Sequence, residues 1–318
     1  MHPAKSVIFF TTTSGAGYGL MFLTILMSMT DTLPTAAGPA PAATAYAVAY
    51  LLITAGLLAS TFHLGHPERA WRALSQWRSS WLSREGVAAV FTYLPTGIYA
   101  IASLVTPAPT HPAVLAIGAL GLVGCAVTVW CTSMIYASLK PVHAWCNGFV
   151  PASYLWFGLM TGGLVLDLLL RVFAVPSPGL SFSLPAAIVV GLAIKWAYWR
   201  RIDGSAGAST PETATGLGRF GTVRSFEALH GQANYLMQEM VFEIARTHAD
   251  ALRRGVYVML FAAPAILCLA AAVLSSTVAA VAAGTALASA TVGIGIERWL
   301  FFAEARHTVG LYYGRTAA

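Results

Sequence analysis

AVLAIGALGLVGCAVTVWCTSMIYA, residues 113–137, carries no acidic, basic or histidine side chain. It is long enough to cross the roughly 30 Å hydrocarbon layer as one helix, which takes about 20 apolar residues. A helix without a charged face has lipid, not water, on its outer side. Seven further stretches read the same way, so spans are predicted at 8–29, 44–64, 86–105, 113–137, 150–171, 182–199, 255–275 and 277–302. The last two are separated only at Ser275 and Ser276, which implies a tight helical hairpin; seven spans is the alternative count. The whole chain agrees: 57% of its 318 residues are hydrophobic and 9% charged, against roughly a quarter charged in soluble domains. The expectation is an all-α integral membrane protein, a bundle of eight transmembrane helices forming a single domain over 1–318. The first run has no convincing cleavage site, so it reads as a retained span.

The formal charge of +6 does not point to nucleic acid, because the basic residues sit between apolar runs, where they set topology. With the N-terminus in the cytoplasm, seventeen of the eighteen Lys and Arg residues fall on the inner side, Lys195 and Arg298 being counted among them. The outer side keeps only Arg171. Both termini are therefore expected in the cytoplasm. The outer connections at 30–43, 106–112 and 173–181 are short and nearly uncharged, while the inner connection at about 200–254 is expected to hold a loop and one or two surface helices. Cys125, Cys131, Cys146 and Cys268 form no CxxC pair, which argues against an iron–sulfur or zinc site on this chain. No internal repeat supports an inverted-repeat transporter, and Asp167, the main candidate for an intramembrane transport residue, lies near the outer end of its span.

The densest polar stretch begins at the end of the second span: His63-Leu64-Gly65-His66-Pro67-Glu68-Arg69-Ala70-Trp71-Arg72, then Trp77, Arg78, Trp81, Arg84 and Glu85. Tryptophan and arginine are ordinary at headgroup depth. His63 and Glu85 are different, because an ionisable group at the membrane boundary is costly unless paired, hydrated or functional. A histidine there can hydrogen-bond a quinone carbonyl and pass a proton, and a carboxylate can exchange that proton with water. A helix-capping histidine and a salt-bridged glutamate are the plain alternative. Haem b is a rival use of His63, with His143, His230 or His307 as second ligand. At the end of the last span, Glu297 and Arg298 read as structural ion-pair residues, paired with each other or across helices, with Glu297 also a candidate proton relay. In the first span, Ser14-Gly15-Ala16-Gly17-Tyr18-Gly19 lets a helix or a flat ring approach closely.

His63-Leu64-Gly65-x-Pro67-x-Arg69-Ala70, followed by Trp81-Leu82-Ser83-Arg84-Glu85, resembles the membrane anchor subunit of dimethyl sulfoxide reductase. Met134-Ile135-Tyr136-Ala137-Ser138, Glu297-Arg298 and His307-Thr308-Val309-Gly310 extend the resemblance over nearly the whole chain. The segment around Asn234-Tyr235-Leu236-x-x-Glu239-Met240 is similar to the anchor of the related membrane-bound sulfite dehydrogenase. The resemblance implies a subunit that does not itself act on the substrate, working with a four-cluster iron–sulfur subunit and a molybdopterin subunit on the cytoplasmic side of a bacterial inner membrane. It implies electron transfer to ubiquinone or menaquinone, with sulfite oxidised to sulfate. It places the quinone at the positions of His63 and Glu85; around them the expected site adds Gly65, Arg69, which would polarise the ring, Trp71, Trp81 and Tyr18, with Glu85 and Glu297 as proton relay. Arg72, Arg78, Arg84 and His230 are the expected partner contacts; no metal site is expected on this chain unless haem is present.

Overall fold

The computed structural model describes residues 4–63, 66–106, 109–204, 209–224, 226–227, 244–274 and 276–313. Among the described residues, eight helices are long and apolar enough to cross a membrane. They are α1 (Lys5–Met29), α2 (Ala40–Ala59), α3 (Trp81–Val105), α4 (Pro112–Ala137), α5 (Phe149–Val172), α6 (Pro178–Gly204), α7 and α8 (Ser276–Ala303). In α7 the α-helical Ile244–Val256 and Ala263–Val273 flank a π-helical turn, Tyr257–Ala262. The eight-span count stands, and the final hairpin is as tight as expected.

The ends differ from the apolar runs in an instructive way. Helix α6 begins four residues before the expected 182 and runs five past 199, because the apolar run marks only the hydrocarbon-deep part of a helix that continues among the headgroups. Helix α2 starts early, with Pro41 in its first turn, where a missing N–H costs nothing. Its α-helical geometry stops at Ala59, and a 3-10 turn, Ser60–His63, takes over. In the inner connection the described residues include a short helix, Pro211–Thr215, capped by Thr210.

Helices α1 and α5 are the centre of the bundle: 56% of the core window of each is buried, against 33–39% in the other six. Two small-xxx-small pairs explain this. Gly15 and Gly19 on α1 meet Gly158 and Gly162 on α5, so the backbones approach to a distance that only glycine permits. A Cβ added at Gly19 would lie 1.9 Å from the Gly158 carbonyl oxygen, whereas one at Gly15 would meet nothing within 4 Å. Gly19→Ala is therefore expected to force the two helices apart, costing about 1–3 kcal/mol as an overpacked contact. Gly15→Ala should leave thermal stability in detergent unchanged or slightly raised. Equal melting of the two variants would refute this origin of the crossing.

At the end of the bundle away from the termini, Arg171 ties three helices together. Its Nε donates to Asp167 Oδ2 at 2.7 Å, its Nη1 to the Ala271 carbonyl at 2.8 Å, and its Nη2 to Ser181 Oγ at 2.8 Å. Ser181 Oγ in turn donates to Asp167 Oδ1 at 2.7 Å. Asp167 is thus committed to a buried clamp among α5, α6 and α7, which removes the feature a transport pathway would have used.

Candidate functional site

The N-terminal ends of α1, α3, α5 and α7 and the C-terminal ends of α2, α4, α6 and α8 share one end of the bundle. Here an aromatic plug of Tyr136, Trp145, Tyr154, Phe301 and Phe302 packs the α4–α5 connection onto the end of α8. Trp145 Nε1 donates to the Phe301 carbonyl at 2.9 Å. The chain beyond α8 then lies on the same connection, with the Thr308 amide donating to the Pro141 carbonyl at 3.0 Å. His307 takes part in this contact, and burial holds its imidazole below the ordinary histidine range.

Glu85 lies one turn into α3, on the face that also carries Ala89 and Thr92, and is 4% exposed. Its Oε1 accepts a hydrogen bond from the Thr132 hydroxyl of α4. Thr132 also reaches back to the Thr128 carbonyl, and the Thr128 hydroxyl meets that of Thr92 at 3.2 Å. No ion pair to Glu85 occurs among the described residues. A carboxyl group held by a neutral hydroxyl in an apolar bundle lacks the counter-charge that a structural glutamate needs.

The second buried cluster combines both forms of pairing expected for Glu297 and Arg298, mutual and across helices, and adds Lys195 to them. Lys195 of α6, only 1% exposed, donates to Glu297 Oε1 at 2.5 Å. Arg298 Nε lies 3.4 Å from Glu297 Oε2, and its guanidinium stands 3.9 Å above the Tyr154 ring. Lys195 and Arg298 are therefore not the inner-loop charges that the sequence suggests. Both sit inside the bundle because a carboxylate and aromatic faces compensate them, Lys195 also lying 4.2 Å from the Tyr198 ring centre. Glu297, flanked by two cations, serves as a counter-charge, a poor position from which to relay protons.

Between the two clusters runs a narrow cleft lined by α1, α4, α5 and α8. Its walls include Ser14, Gly15, Thr132, Tyr154, Phe157 and Arg298. The volume open to a water centre is about 10 Å³, about the least that holds one molecule. Thr132 thus connects the cleft to Glu85, while Arg298 connects it to Glu297 and Lys195. Among the described residues, nothing stands within hydrogen-bond reach of the buried Tyr18 and Tyr154 hydroxyls in good geometry.

Only part of the predicted constellation comes together. Glu85 and Tyr18 are buried, and Trp81 is half-buried, stacked edge-on against Trp130 with Arg84 over its ring. Arg69 and Trp71 are not beside Glu85. Pro67 starts a separate 3-10 helix, Pro67–Gln76, that lies along the start of α3 and turns both residues outward. Arg69 pairs loosely with Glu68 at 3.7 Å, and Trp71 is 67% exposed. Arg72 and Arg78 are likewise exposed, but Arg84 is occupied: its Nε donates to the Trp77 carbonyl at 3.0 Å and its Nη2 to that of Arg78 at 2.7 Å. It closes the 3-10 helix onto α3 and is not a free docking residue. The His63 backbone ends the turn after α2, but its side chain, together with Gly65 and His230, lies outside the described residues. Thr132, Tyr154 and Lys195 carry no signal in the sequence that marks them for the site.

This combination defines an integral membrane subunit, apolar over its whole girth, with a polar cleft and unbalanced ionisable groups at one end of the bundle. The chain belongs to the DMSO reductase anchor subunit (DmsC) family, whose profile matches residues 1–314. It is 34% identical to a sulfite dehydrogenase subunit of Allochromatium vinosum, over the full length of both chains. It is also 27% identical over 126 residues to the anaerobic dimethyl sulfoxide reductase chain YnfH of Escherichia coli K12, covering 38% of this chain and 42% of that one. No solved structure matches. The chain is accordingly a membrane anchor subunit of a DMSO reductase-type complex.

Proposed function

We propose that this anchor passes electrons from an iron–sulfur subunit to quinone while a molybdopterin subunit oxidises sulfite. The net reaction is sulfite plus water plus quinone giving sulfate plus quinol; two electrons cross the anchor's inner face and two protons join the ring. The observation that carries the quinone part is Glu85, a buried carboxyl group with a hydroxyl neighbour and no counter-charge among the described residues, one side chain behind a polar cleft. Such a group can hand a proton to a ring oxygen and be recharged from water, the role of a general acid. The sulfite part is supported by the full-length similarity to the sulfite dehydrogenase subunit.

The orientation that fits puts both termini and the partner subunits in the bacterial cytoplasm. The exposed face of the 3-10 helix, with Arg72, Trp71 and Trp77, and Arg78 beside it, is the docking surface. His63 would bind the ring from the α2 side. A dimethyl sulfoxide, polysulfide or thiosulfate reductase running from quinol is the second reading, favoured by the shorter match to YnfH. Purifying the tagged chain from its native membrane tests both. The expected result is co-purification of molybdenum and iron–sulfur subunits, with sulfite-dependent reduction of a ubiquinone or menaquinone analogue. Quinol-dependent reduction of dimethyl sulfoxide without sulfite oxidation would replace the first reading by the second, and absence of both metals would overturn both. The visible spectrum of the same sample decides whether haem b accompanies the chain.

A further inference from the structure

Lys195, Arg298 and Glu297 bring two cations and one carboxylate into a region at most 3% exposed. Buried charge without compensation is expensive, so the wall formed by Arg298 favours an electron-rich atom in the cleft beside it. A second observation points the same way. Tyr154 is 4% exposed and lines that cleft, yet among the described residues its hydroxyl finds no acceptor, with only the Arg298 guanidinium beside it, a situation rare among buried polar groups. A positive group and an unused donor thus stand together on one wall, and the Thr132–Glu85 pair stands on another.

We propose that Arg298 and the Tyr154 hydroxyl form the oxygen-binding pole of the quinone site, opposite Glu85 and Thr132. This rests on the quinone reading above and gives Arg298 the place beside the ring that the sequence suggests for Arg69. Arg298 transfers no proton. It stabilises the negative charge that develops on one ring oxygen as electrons arrive from the partner subunit, while the protons come from Glu85 and from water at the cleft mouth. Tyr154 donates the hydrogen bond that orients the ring. Glu297 and Lys195 hold Arg298 in place from behind. Because the cleft has room for one water only, the ring enters as lining side chains turn outward, a gating motion of a familiar kind.

The test uses the complete complex, with sulfite as donor and decylubiquinone as acceptor; ferricyanide, which bypasses the anchor, reports the partner subunits. Tyr154→Phe removes a hydroxyl that the fold does not use, so assembly and melting should match wild type. KM for decylubiquinone should rise about fivefold, the equivalent of one neutral hydrogen bond. Arg298→Lys keeps the charge that Glu297 needs but loses the planar guanidinium, and kcat should fall about tenfold with ferricyanide turnover unchanged, as for a displaced charge-stabilising donor. Wild-type kinetics in both variants would overturn the pole. A Glu85→Gln complex measured alongside separates the two levels of inference: if it is slow while those two variants are normal, the quinone reading stands and the pole lies elsewhere. If all three are normal, both fall.

Discussion

Glu85→Gln is expected to lower quinone-coupled turnover about 100-fold, the low end of what a positioned general acid contributes, while sulfite oxidation with ferricyanide continues at the wild-type rate. Glutamine has the shape of glutamate and keeps an oxygen for the Thr132 hydroxyl, so the α3–α4 contact persists. What disappears is the ability to give up a proton. Because Glu85 has no cation beside it among the described residues, its neutral replacement leaves no orphaned charge, and the complex should assemble normally. Glu85→Asp tests geometry: a shortened carboxyl still carries a proton but no longer reaches Thr132, and should recover part of the rate. Full quinone turnover in Glu85→Gln would remove Glu85 from the mechanism.

The second large effect concerns stability, and its ordering is the test. Glu297→Gln leaves Lys195 and Arg298 buried with no counter-charge. Removing the shared partner of buried ions costs about 3–5 kcal/mol, enough to deplete the chain from the membrane. Lys195→Met should be far milder, because Glu297 and Arg298 then balance one another at 3.4 Å. The double variant Lys195→Met/Glu297→Gln should be more stable than Glu297→Gln alone, a coupling that a double-mutant cycle isolates. Arg253, at the inner end of α7, offers the contrast. It pairs with Asp203 at 2.6 Å and Glu304 at 2.7 Å, but its side chain and that of Asp203 are 19% and 54% exposed. Water screens the Asp203 arm, while Glu304, only 10% exposed, keeps the Trp199 indole donor at 3.3 Å, so Arg253→Met should cost less than Glu297→Gln. If Lys195→Met proved as damaging as Glu297→Gln, the charge count would be wrong.

The eight spans are legible in the sequence because a run of about 20 apolar residues has no other stable use, and Ser275-Ser276 is enough to mark the last hairpin. Helix ends are not legible, since composition reports the hydrocarbon layer and not where hydrogen bonding stops. At the site, Glu85 stands out as a carboxylate at a boundary, but its partner Thr132 is 47 residues away and ordinary in composition, so only packing reveals it. Lys195 is hidden for a different reason. At the end of an apolar run it looks like a headgroup charge, although Leu184, Ile188, Gly191, Lys195 and Tyr198 recur at intervals of three and four, the period of one helix face. All five are buried. Arg69 and Trp71 fall away from the site because Pro67 does more than break a helix: it also opens a separate 3-10 helix that turns them outward.

The crossing of α1 and α5 has a consequence for biogenesis. The ribosome delivers α1 first, yet its closest neighbours, at Gly158 and Gly162, emerge only with the fifth span. Until then the α5-facing side of α1 waits in lipid, although α2 already packs Gly56 against Thr13 and Ser14; the hydroxyls of Thr11–Ser14 fold back onto carbonyls one turn earlier. Those local bonds keep it soluble in the bilayer without α5, so the first helix to be inserted is the keystone that the later ones close around.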